Sequence, residues 1–323
     1  MDMANQNKHT ISLLLDNNWI NKFGGFCDGD GNFQTFPKKR FNLKNKVEAS
    51  NNSSGPLLKL RVAVTKSSLT SKENNLQQQY TVPSLMAQPS YYNVGYGFHI
   101  SLSSVDSQLL YSIQENLGGL GHVYVNHHKQ EARFAVTKLS ELIWLVDNVF
   151  DKMMLVTNSQ RVRYARFRHG LLNKFNRVET LEHYKDFLNE SYLTELSELQ
   201  NLTLDNNQFK NWFVGFVNSE GNFNITKHKN VFVFSIEHTD ENSLMIIKKA
   251  FGFTPNVLFR KARSEKRKPT YVLAISSKRD IKLLIKTLLD TSISPLEGNK
   301  LNQFNSWYTS YQKALILKNS TLS

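Results

Sequence analysis

The sequence contains a single cysteine, Cys27, among 323 residues. One cysteine excludes an intramolecular disulfide and a cysteine-based zinc site, and it fits a reducing compartment. Apolar runs are short and none approaches the roughly 20 residues that a membrane-spanning helix needs, so no membrane partner is expected. The adjacent His127 and His128 have no second pair of ligands at helical spacing, which favours turn residues over a metal site.

Negative charge is also scarce. The chain has 40 Lys and Arg against 27 Asp and Glu, a formal net charge of +13, and a pI of about 9.6. This excess of positive charge favours a polyanionic partner such as a nucleic acid. The length leaves room for one large domain or two ordinary domains, each with its own core.

An internal repeat organises the chain. The segment FGGFCDGDGNF at residues 23–33 matches FVGFVNSEGNF at residues 213–223 in register. A second set of seven apolar, acidic and glycine positions between residues 98 and 118 recurs 134 residues later. Two copies of one structural unit are therefore expected.

Each copy has the same predicted order of elements. A helix ends at the motif, two alternating strands follow it (32–36 and 97–103; 222–226 and 231–237), and Ser104 or Thr239 opens a second helix. Two more strands (123–126 and 132–136; 257–260 and 271–276) precede a third helical region. The predicted fold class is therefore α+β, with two pseudo-symmetric α-β-β-α-β-β-α repeats and an antiparallel four-stranded sheet in each.

The first repeat carries an insertion. Gly31 and Asp106 are 75 positions apart while Gly221 and Asp240 are 19 apart, so 56 extra residues are expected within about 38–95. The insertion is rich in lysine and arginine among polar residues, which is typical either of a solvated excursion or of an arm that contacts phosphates. Residues 58–65 alternate like a strand. The predicted division is a first repeat at 1–177, a linker at 178–207 and a second repeat at 208–323.

Residues 23–31 and 213–221 resemble the nine-position signature of the LAGLIDADG homing endonucleases, in the single-chain form with two motifs. Asp30 and Glu220 stand at the closing acid of each motif. The small residues Gly24, Gly25 and Gly215 allow two such helices to pack closely, which brings both acids together. The resemblance implies a saddle of two sheets for binding DNA.

Two neighbouring acids at helix ends repel each other unless divalent cations offset the charge. Carboxylates that share such cations over a phosphodiester suit hydrolysis. Asp30 and Glu220 are thus the expected catalytic acids and metal ligands, with Mg²⁺ or Mn²⁺ for cleavage and Ca²⁺ for binding alone. The resemblance implies that the backbone carbonyls of Gly29 and Ser219 also contact metal.

The family also has a lysine near the start of the last helix that polarises water. Lys300 matches it in the second repeat, and alignment of 154–159 with 295–300 sets Ser159 opposite Lys300 in the first. The two sites are therefore expected to differ in rate. Asp28 is replaced by Asn218 in the second repeat, so a capping or packing role is predicted for it rather than metal binding.

DNA contacts are expected on the polar faces of the strands and in the basic turn at 260–268, because Asn and Gln can read adenine, Arg can read guanine, and lysines grip phosphates. The predicted DNA-contacting residues are Asn32, Gln34, His99, Ser101, Arg133, Asn222, Asn224, Thr226, Ser235, Arg260 and Lys268. A merely solvated hairpin is the alternative for the basic turn.

The expected function is site-specific, metal-dependent double-strand cleavage of a long DNA target with short 3′ overhangs, which initiates intron homing by a functional monomer. The alternatives are an intron RNA maturase on the same fold, with RNA as a further partner, and a transcription regulator, which should lack an acid. A calcium loop at Asp28 is excluded because Phe33 and Lys39 replace the required Gly and Glu. A mitochondrial, organelle-encoded protein is expected, with chloroplast as the alternative.

Overall fold

The computed structural model describes residues 15–40, 91–189, 206–226, 231–262 and 264–320. Each repeat begins with a long helix that continues directly into a strand. The elements of the first repeat are α1 (Asn17–Asp30), β1 (Gly31–Arg40), β2 (Tyr91–Ser103), α2 (Ser107–Asn116), β3 (His122–Asn126), β4 (Glu131–Val136), α3 (Leu139–Leu145), α4 (Asn158–Leu172), β5 (Arg177–Val178) and α5 (Leu181–Asn189).

The second repeat follows the same order without the last two elements. Its elements are α6 (Asn207–Glu220), β6 (Gly221–Thr226), β7 (Val231–His238), α7 (Glu241–Phe251), β8 (Leu258–Arg260), β9 (Thr270–Ile275), α8 (Lys278–Leu288) and α9 (Gly298–Ser320). In the described part of the chain, no helix is long and apolar enough to cross a membrane.

Both sheets are antiparallel and have the same strand order. The first runs β1-β2-β4-β3, with β5 also paired to β2, and the second runs β6-β7-β9-β8. Gly31 pairs with Ile100 in the first sheet as Gly221 pairs with Ile236 in the second. Each sheet has its own apolar core on its helix side. The predicted α+β class with two equivalent repeats is confirmed.

The strand registers correct the single offset of 134 residues. Ile100 and Ile236 hold the same place in their sheets and are 136 residues apart, whereas Asp106 and Asp240 are 134 apart. A 3-10 turn at Ser104–Asp106 supplies the two extra residues in the first repeat. The second helix therefore begins after Asp106 and Asp240 rather than at Ser104 and Thr239.

The third helical region is two helices in each repeat. α3 passes through a π-helical turn, Val146–Phe150, and an extended segment at 151–157 separates it from α4. The equivalent segment at 289–297 separates α8 from α9. Apolar periodicity alone joined these helices, because Leu155, Val156 and Leu296 in the connecting segments are buried like helix residues.

The insertion is shorter than predicted at both ends. β1 continues to Arg40 and pairs with a β2 that already begins at Tyr91. Residues 38–40 and 91–95 are therefore part of the sheet, and the predicted strand at 58–65 lies outside the described residues. The remaining question of a solvated excursion or a phosphate-contacting arm concerns 41–90, which the structure does not describe.

The beginning of the predicted linker packs with the first repeat. Val178 pairs with Tyr92 in the sheet, and the Tyr184 hydroxyl donates to the Thr35 carbonyl at 2.7 Å. Val178, Tyr184 and Phe187 are buried in the first core. The boundary predicted at residue 178 is thus wrong, and α5 ends at Asn189 as part of the first repeat.

Candidate active site

Helices α1 and α6 pack against each other through reciprocal glycines. A Cβ added at Gly25 would collide with the carbonyl oxygen of Trp212, and one added at Gly215 would collide with the carbonyl oxygen of Lys22. Because each glycine faces the backbone of the other helix, the two helices meet at a distance that no side chain would permit. This close contact aligns the C-terminal ends of the two helices.

Each of these helices passes into a strand without a loop. Gly31 and Gly221 have extended backbones immediately after the last helical residue. A Cβ at Gly31 would lie 2.7 Å from the Cys27 Cα, and one at Gly221 would lie 2.6 Å from the Val217 carbonyl oxygen. Glycine at both positions therefore allows the acid to occupy the junction between helix and sheet.

The acids at the two junctions influence each other. Burial raises the pKa of Asp30 to about 6, with Lys300 acting to lower it and Asp106 to raise it. Burial is also the main reason that the pKa of Glu220 rises to about 7, and the charge of Asp30 raises it further. Two half-buried acids with mutual repulsion form a strongly electronegative site beside a lysine.

The oxygen donors at this site fit a hard divalent cation. In the part of the chain that the structure describes, no three His, Cys, Asp or Glu side chains come together to cage a metal. Mg²⁺ is usually held by one or two carboxylates together with substrate phosphates, so a pair of acids without a third protein ligand suits it. Asp30 and Glu220, with the neighbouring carbonyls of Gly29 and Ser219, would hold such a cation.

Lys300 lies near the beginning of α9, and its Nζ donates to the carbonyl of Gly221. The Nε2 atom of Gln160, near the beginning of α4, donates to the equivalent carbonyl of Gly31 and to that of Cys27 at 2.9 Å. Gln160 is buried, and its Oε1 has no hydrogen-bond partner. Gln160 is thus the structural counterpart of Lys300.

A second pair of contacts fixes the same correspondence. The Asn21 Oδ1 accepts from the Met154 amide at 3.1 Å, and the Asn211 Oδ1 accepts from the Ser294 amide at 2.8 Å. The two acceptors are 190 residues apart and the two donors 140 apart. The alignment of Ser159 with Lys300, which used 141, is therefore wrong by one residue, and Ser159 is exposed.

Asp28 anchors the segment before α4. This buried carboxylate accepts from the amides of Val156 at 2.7 Å and Thr157 at 3.3 Å, from the Thr157 hydroxyl, and from the indole of Trp212 at 2.7 Å. Burial raises the pKa of Asp28 to about 7, against the effect of these hydrogen bonds. The contacts are those of the packing role predicted for Asp28.

Asn218 does the same for the segment before α9, with an amide. Its Nδ2 donates to the Glu297 carbonyl at 2.9 Å, and its Oδ1 accepts from the Glu297 amide at 3.2 Å. In place of Trp212, the other helix offers Lys22, whose Nζ pairs with the Glu297 carboxylate at 2.5 Å. The two anchors have the same geometry but opposite hydrogen-bond requirements at one atom.

The last helix of each repeat is also held by the other repeat. Asp106 of the first repeat accepts from the Asn299 amide of α9 at 2.9 Å. Asp240 of the second repeat accepts from the Asn158 amide of α4 at 2.5 Å and also caps its own helix α7. These crosswise bonds fix the helices that carry Lys300 and Gln160, and the sequence gave no separate signal for them.

The predicted DNA-contacting residues of the first repeat share the sheet face opposite its core. Asn32 is paired with His99, and Ser101 with Arg133. The Asn32 amide lies 3.2 Å from the His99 Nε2, and burial lowers the pKa of His99 to about 4. His99 is therefore neutral near pH 7. Gln34 lies on the same face, next to Asn32 along it.

The second sheet presents Asn222, Asn224, Thr226 and Ser235 on its corresponding face. Arg260 is on this face too, and its guanidinium pairs with Glu237 at 2.6 Å. Lys268 lies apart from this row, in a groove with Asp240 and the beginnings of α4 and α7. His127 and His128 are exposed in the β3–β4 turn, as predicted.

The fold and site define a class of single-chain, two-repeat proteins with paired acids beneath two sheets. The family model described as LAGLIDADG endonuclease matches residues 77–169 and 213–311, more than half of the chain. The chain belongs to this family, and the expected enzyme class, an endonuclease, is confirmed. The first match begins after the insertion, so the first motif is placed by the α1–α6 pairing instead.

Solved structures show the same fold at low sequence identity. I-LtrWI, a LAGLIDADG homing endonuclease bound to target DNA, is 17% identical with a TM-score of 0.58, over 93% of this chain and 92% of that one. The meganuclease I-CpaMI, bound to uncleaved DNA, is 17% identical with a TM-score of 0.57, over 94% and 92%. I-GzeII, in complex with its DNA target, is 16% identical with a TM-score of 0.55, over 96% and 93%.

Proposed function

We propose that this chain is a site-specific homing endonuclease that makes a divalent-metal-dependent double-strand break, with short 3′ overhangs, and so initiates intron homing. The observation that carries the proposal is the position of Asp30 and Glu220. Each ends one of two tightly packed helices, they raise the pKa values of the pair by burial and repulsion, and each lies beside a sheet with a polar outer face.

The chain's residues divide the work of hydrolysis. A bound Mg²⁺ or Mn²⁺ would supply Lewis acidity and a water of lowered pKa. Asp30 and Glu220 hold their charge at the junction of the repeats, one for each DNA strand. Lys300, held by the Gly221 carbonyl, can stabilise negative charge on the phosphoryl group. Both acids belong to one chain, which supports a functional monomer.

Double-stranded DNA would lie along the outer faces of the two sheets. Neighbouring members of the fold are bound to DNA in their solved structures. In this chain the same face carries Asn32, His99, Arg133, Asn222 and Ser235. Amide, hydroxyl and imidazole groups in rows along strands can read base edges in the major groove.

A cleavage selection tests the function without a known target. A library of randomised duplexes is incubated with the protein and Mg²⁺, cleaved molecules are recovered by adaptor ligation to the overhangs, and the selected sequence is resynthesised. We expect one long site to be cut in both strands with Mg²⁺ and left intact with EDTA. Cutting that persists in EDTA, or no enrichment of any site, contradicts the proposal.

An intron RNA maturase on this fold is the second candidate. The presence of both acids favours cleavage, and no described feature favours RNA over DNA. Ca²⁺ is proposed to support binding without cleavage, in line with a neighbouring enzyme bound to uncleaved target with calcium ions. We also propose organellar encoding, with mitochondrial localisation and chloroplast as the alternative.

A further inference from the structure

The two DNA-facing sheets differ in length. In the second repeat the β6–β7 ladder ends at Thr226 paired with Val231, and only four residues connect them. The equivalent pair in the first repeat is Phe36 with Gly95, but there the ladder continues through four more pairs to Arg40 with Tyr91. At about 3.4 Å per residue, these pairs lengthen the sheet by about 14 Å.

This extension is built into the fold. β5 pairs with β2 at Tyr92 and Asn93, beyond the end of β4, and thus gives the far end a third strand. The Val94 amide donates to the Asn176 carbonyl at 2.9 Å. Helix α5 covers the inner side through Tyr184 and Phe187, both buried. The far end therefore has a core of its own behind it.

The outer face of the extension is basic. Alternation along the strands sets Lys38, Arg40 and Arg177 on the side that also carries Asn32 and Gln34. The Arg177 guanidinium lies over the Tyr91 ring, 4.1 Å from its centroid, and the Lys38 ammonium lies 4.9 Å from that of Phe36. None of the side chains named on this face is acidic. Three cations are thus fixed in a row at one end of the sheet.

The second sheet has no equivalent row among its described residues. Its outer positions at the end of the β6–β7 ladder are Thr226, Val231 and Val233. The cation nearest to that face, Arg260, is already paired with Glu237. The two ends of the DNA-facing surface therefore differ in charge as well as in length.

We infer that the extension at Lys38, Arg40, Tyr91 and Arg177 binds DNA phosphates beyond the symmetric part of the target, so that the arm under the first repeat is about three to four base pairs longer than the other. The figure follows because 14 Å of strand spans about four steps of 3.4 Å along a duplex. This inference rests on the proposed DNA-binding function.

Truncated duplexes test the arm length with the unaltered protein. The duplex recovered from the cleavage selection is shortened from either end in single base pairs, and affinity is measured with Ca²⁺. We expect affinity to fall about three to four base pairs further from the cleavage site on one arm than on the other. Equal limits on both arms overturn the inference, whereas failure to bind any duplex contradicts the DNA-binding function itself.

A variant assigns the longer arm. The triple change Lys38→Ala, Arg40→Ala and Arg177→Ala should lower the slope of log affinity against log salt by up to about three, since each lost phosphate contact removes about 0.9. The loss should disappear on the duplex whose long arm has been shortened. The control replaces three exposed lysines on helices α5 and α8, Lys185, Lys282 and Lys286, by alanine.

The two triple variants carry the same change in net charge. If both lower the slope alike, or if the first weakens binding to the shortened duplex as much as to the full one, the extension is not a DNA contact. Circular dichroism and the melting temperature of each variant report whether the sheet extension remains folded. The truncation series decides the arm length independently of these variants.

Discussion

The indole nitrogen of Trp212 donates to the Asp28 carboxylate at 2.7 Å, which joins α6 to the acid that anchors α4 of the other repeat. Its counterpart joins Lys22 to Glu297 beside Asn218. Two pseudo-symmetric positions thus hold a carboxylate and an amide. The choice follows the partners, because Asp28 meets only groups that can donate, whereas Asn218 meets one donor and one carbonyl acceptor.

We predict that Asp28→Asn lowers the free energy of unfolding by about 1 to 3 kcal/mol, the cost of leaving a buried N–H without an acceptor. An amide at this position directs its NH₂ at the amide of Thr157 or at those of Val156 and Trp212. Urea unfolding at a pH above 7, where Asp28 is ionised, measures the change. Addition of Trp212→Phe should cost less in the Asp28→Asn background than in the parent.

The reverse substitution tests the other anchor. Asn218→Asp should destabilise the protein by a similar amount, because a carboxylate oxygen would face the Glu297 carbonyl without a proton between them. The conservative control is Asn116→Asp, at an exposed position near the end of α2. Equal unfolding midpoints for Asn218→Asp and Asn116→Asp would show that the matched hydrogen bonds contribute nothing.

Removal of the charge of either acid should stop cleavage without loss of DNA binding. Asp30→Asn and Glu220→Gln keep the shape of the side chain, and we expect each to lower the cleavage rate by at least about 10²-fold, as for loss of a preorganised electrostatic group. Glu115→Gln, on the exposed face of α2, is the charge-matched control. Affinity for the selected duplex in Ca²⁺ should change little. A parallel loss of affinity would mean that the acids serve the fold.

The raised pKa values of the two acids predict how stability depends on pH. A carboxyl group whose pKa is higher in the folded state favours folding at low pH, and this contribution is lost as the pH rises through the folded value. The ordinary values are 3.8 and 4.5, and the folded values are about 6 for Asp30 and about 7 for Glu220. The metal-free protein should therefore lose stability between about pH 4 and pH 8.

Melting temperatures check this effect against the double variant Asp30→Asn, Glu220→Gln. With EDTA, the melting temperature of the parent should fall relative to that of the variant as the pH rises. Ca²⁺ should raise the melting temperature of the parent at pH 8 and have little effect at pH 5, because protons compete with the cation for the carboxylates. An equal response of parent and variant to Ca²⁺ would place the cation elsewhere.

Much of the fold was predictable because the two repeats constrain each other. The motif helices, the strands and the polar faces at Asn32 and Asn222 follow from alternation and from the matched segments. Gln160 did not, since alignment by eye matched Asn158 with Asn299 and set Ser159 opposite Lys300. The correct partner emerges only from a shared contact, the carbonyls of Gly31 and Gly221, which no periodicity records.

The sheet extension was missed for a related reason. Lys38 and Arg40 lie among many basic residues of the insertion, and their alternation with Lys39 has no apolar member to mark a strand. Their order depends on pairing with the segment at 91–95, some fifty residues later, and on Arg177 from a third segment. Long-range pairing of this kind is decided by packing and leaves little trace in local composition.

The exchange of lysine for glutamine predicts that the two DNA strands are cut at different rates. Lys300 can place a positive charge beside the phosphoryl group, whereas Gln160 supplies only a neutral amide, and loss of such a charge from a preorganised site costs about 10²-fold or more. A supercoiled plasmid with the selected target should therefore pass through an open-circular intermediate, and differently labelled strands should show unequal rates. Lys300→Gln should slow one strand selectively, and Gln160→Lys should bring the two rates closer together. Ser159→Lys adds the same charge one residue away, at an exposed position, and should change neither rate. Equal rates in the parent, or the same response to Gln160→Lys and Ser159→Lys, would show that the buried position of the side chain does not matter.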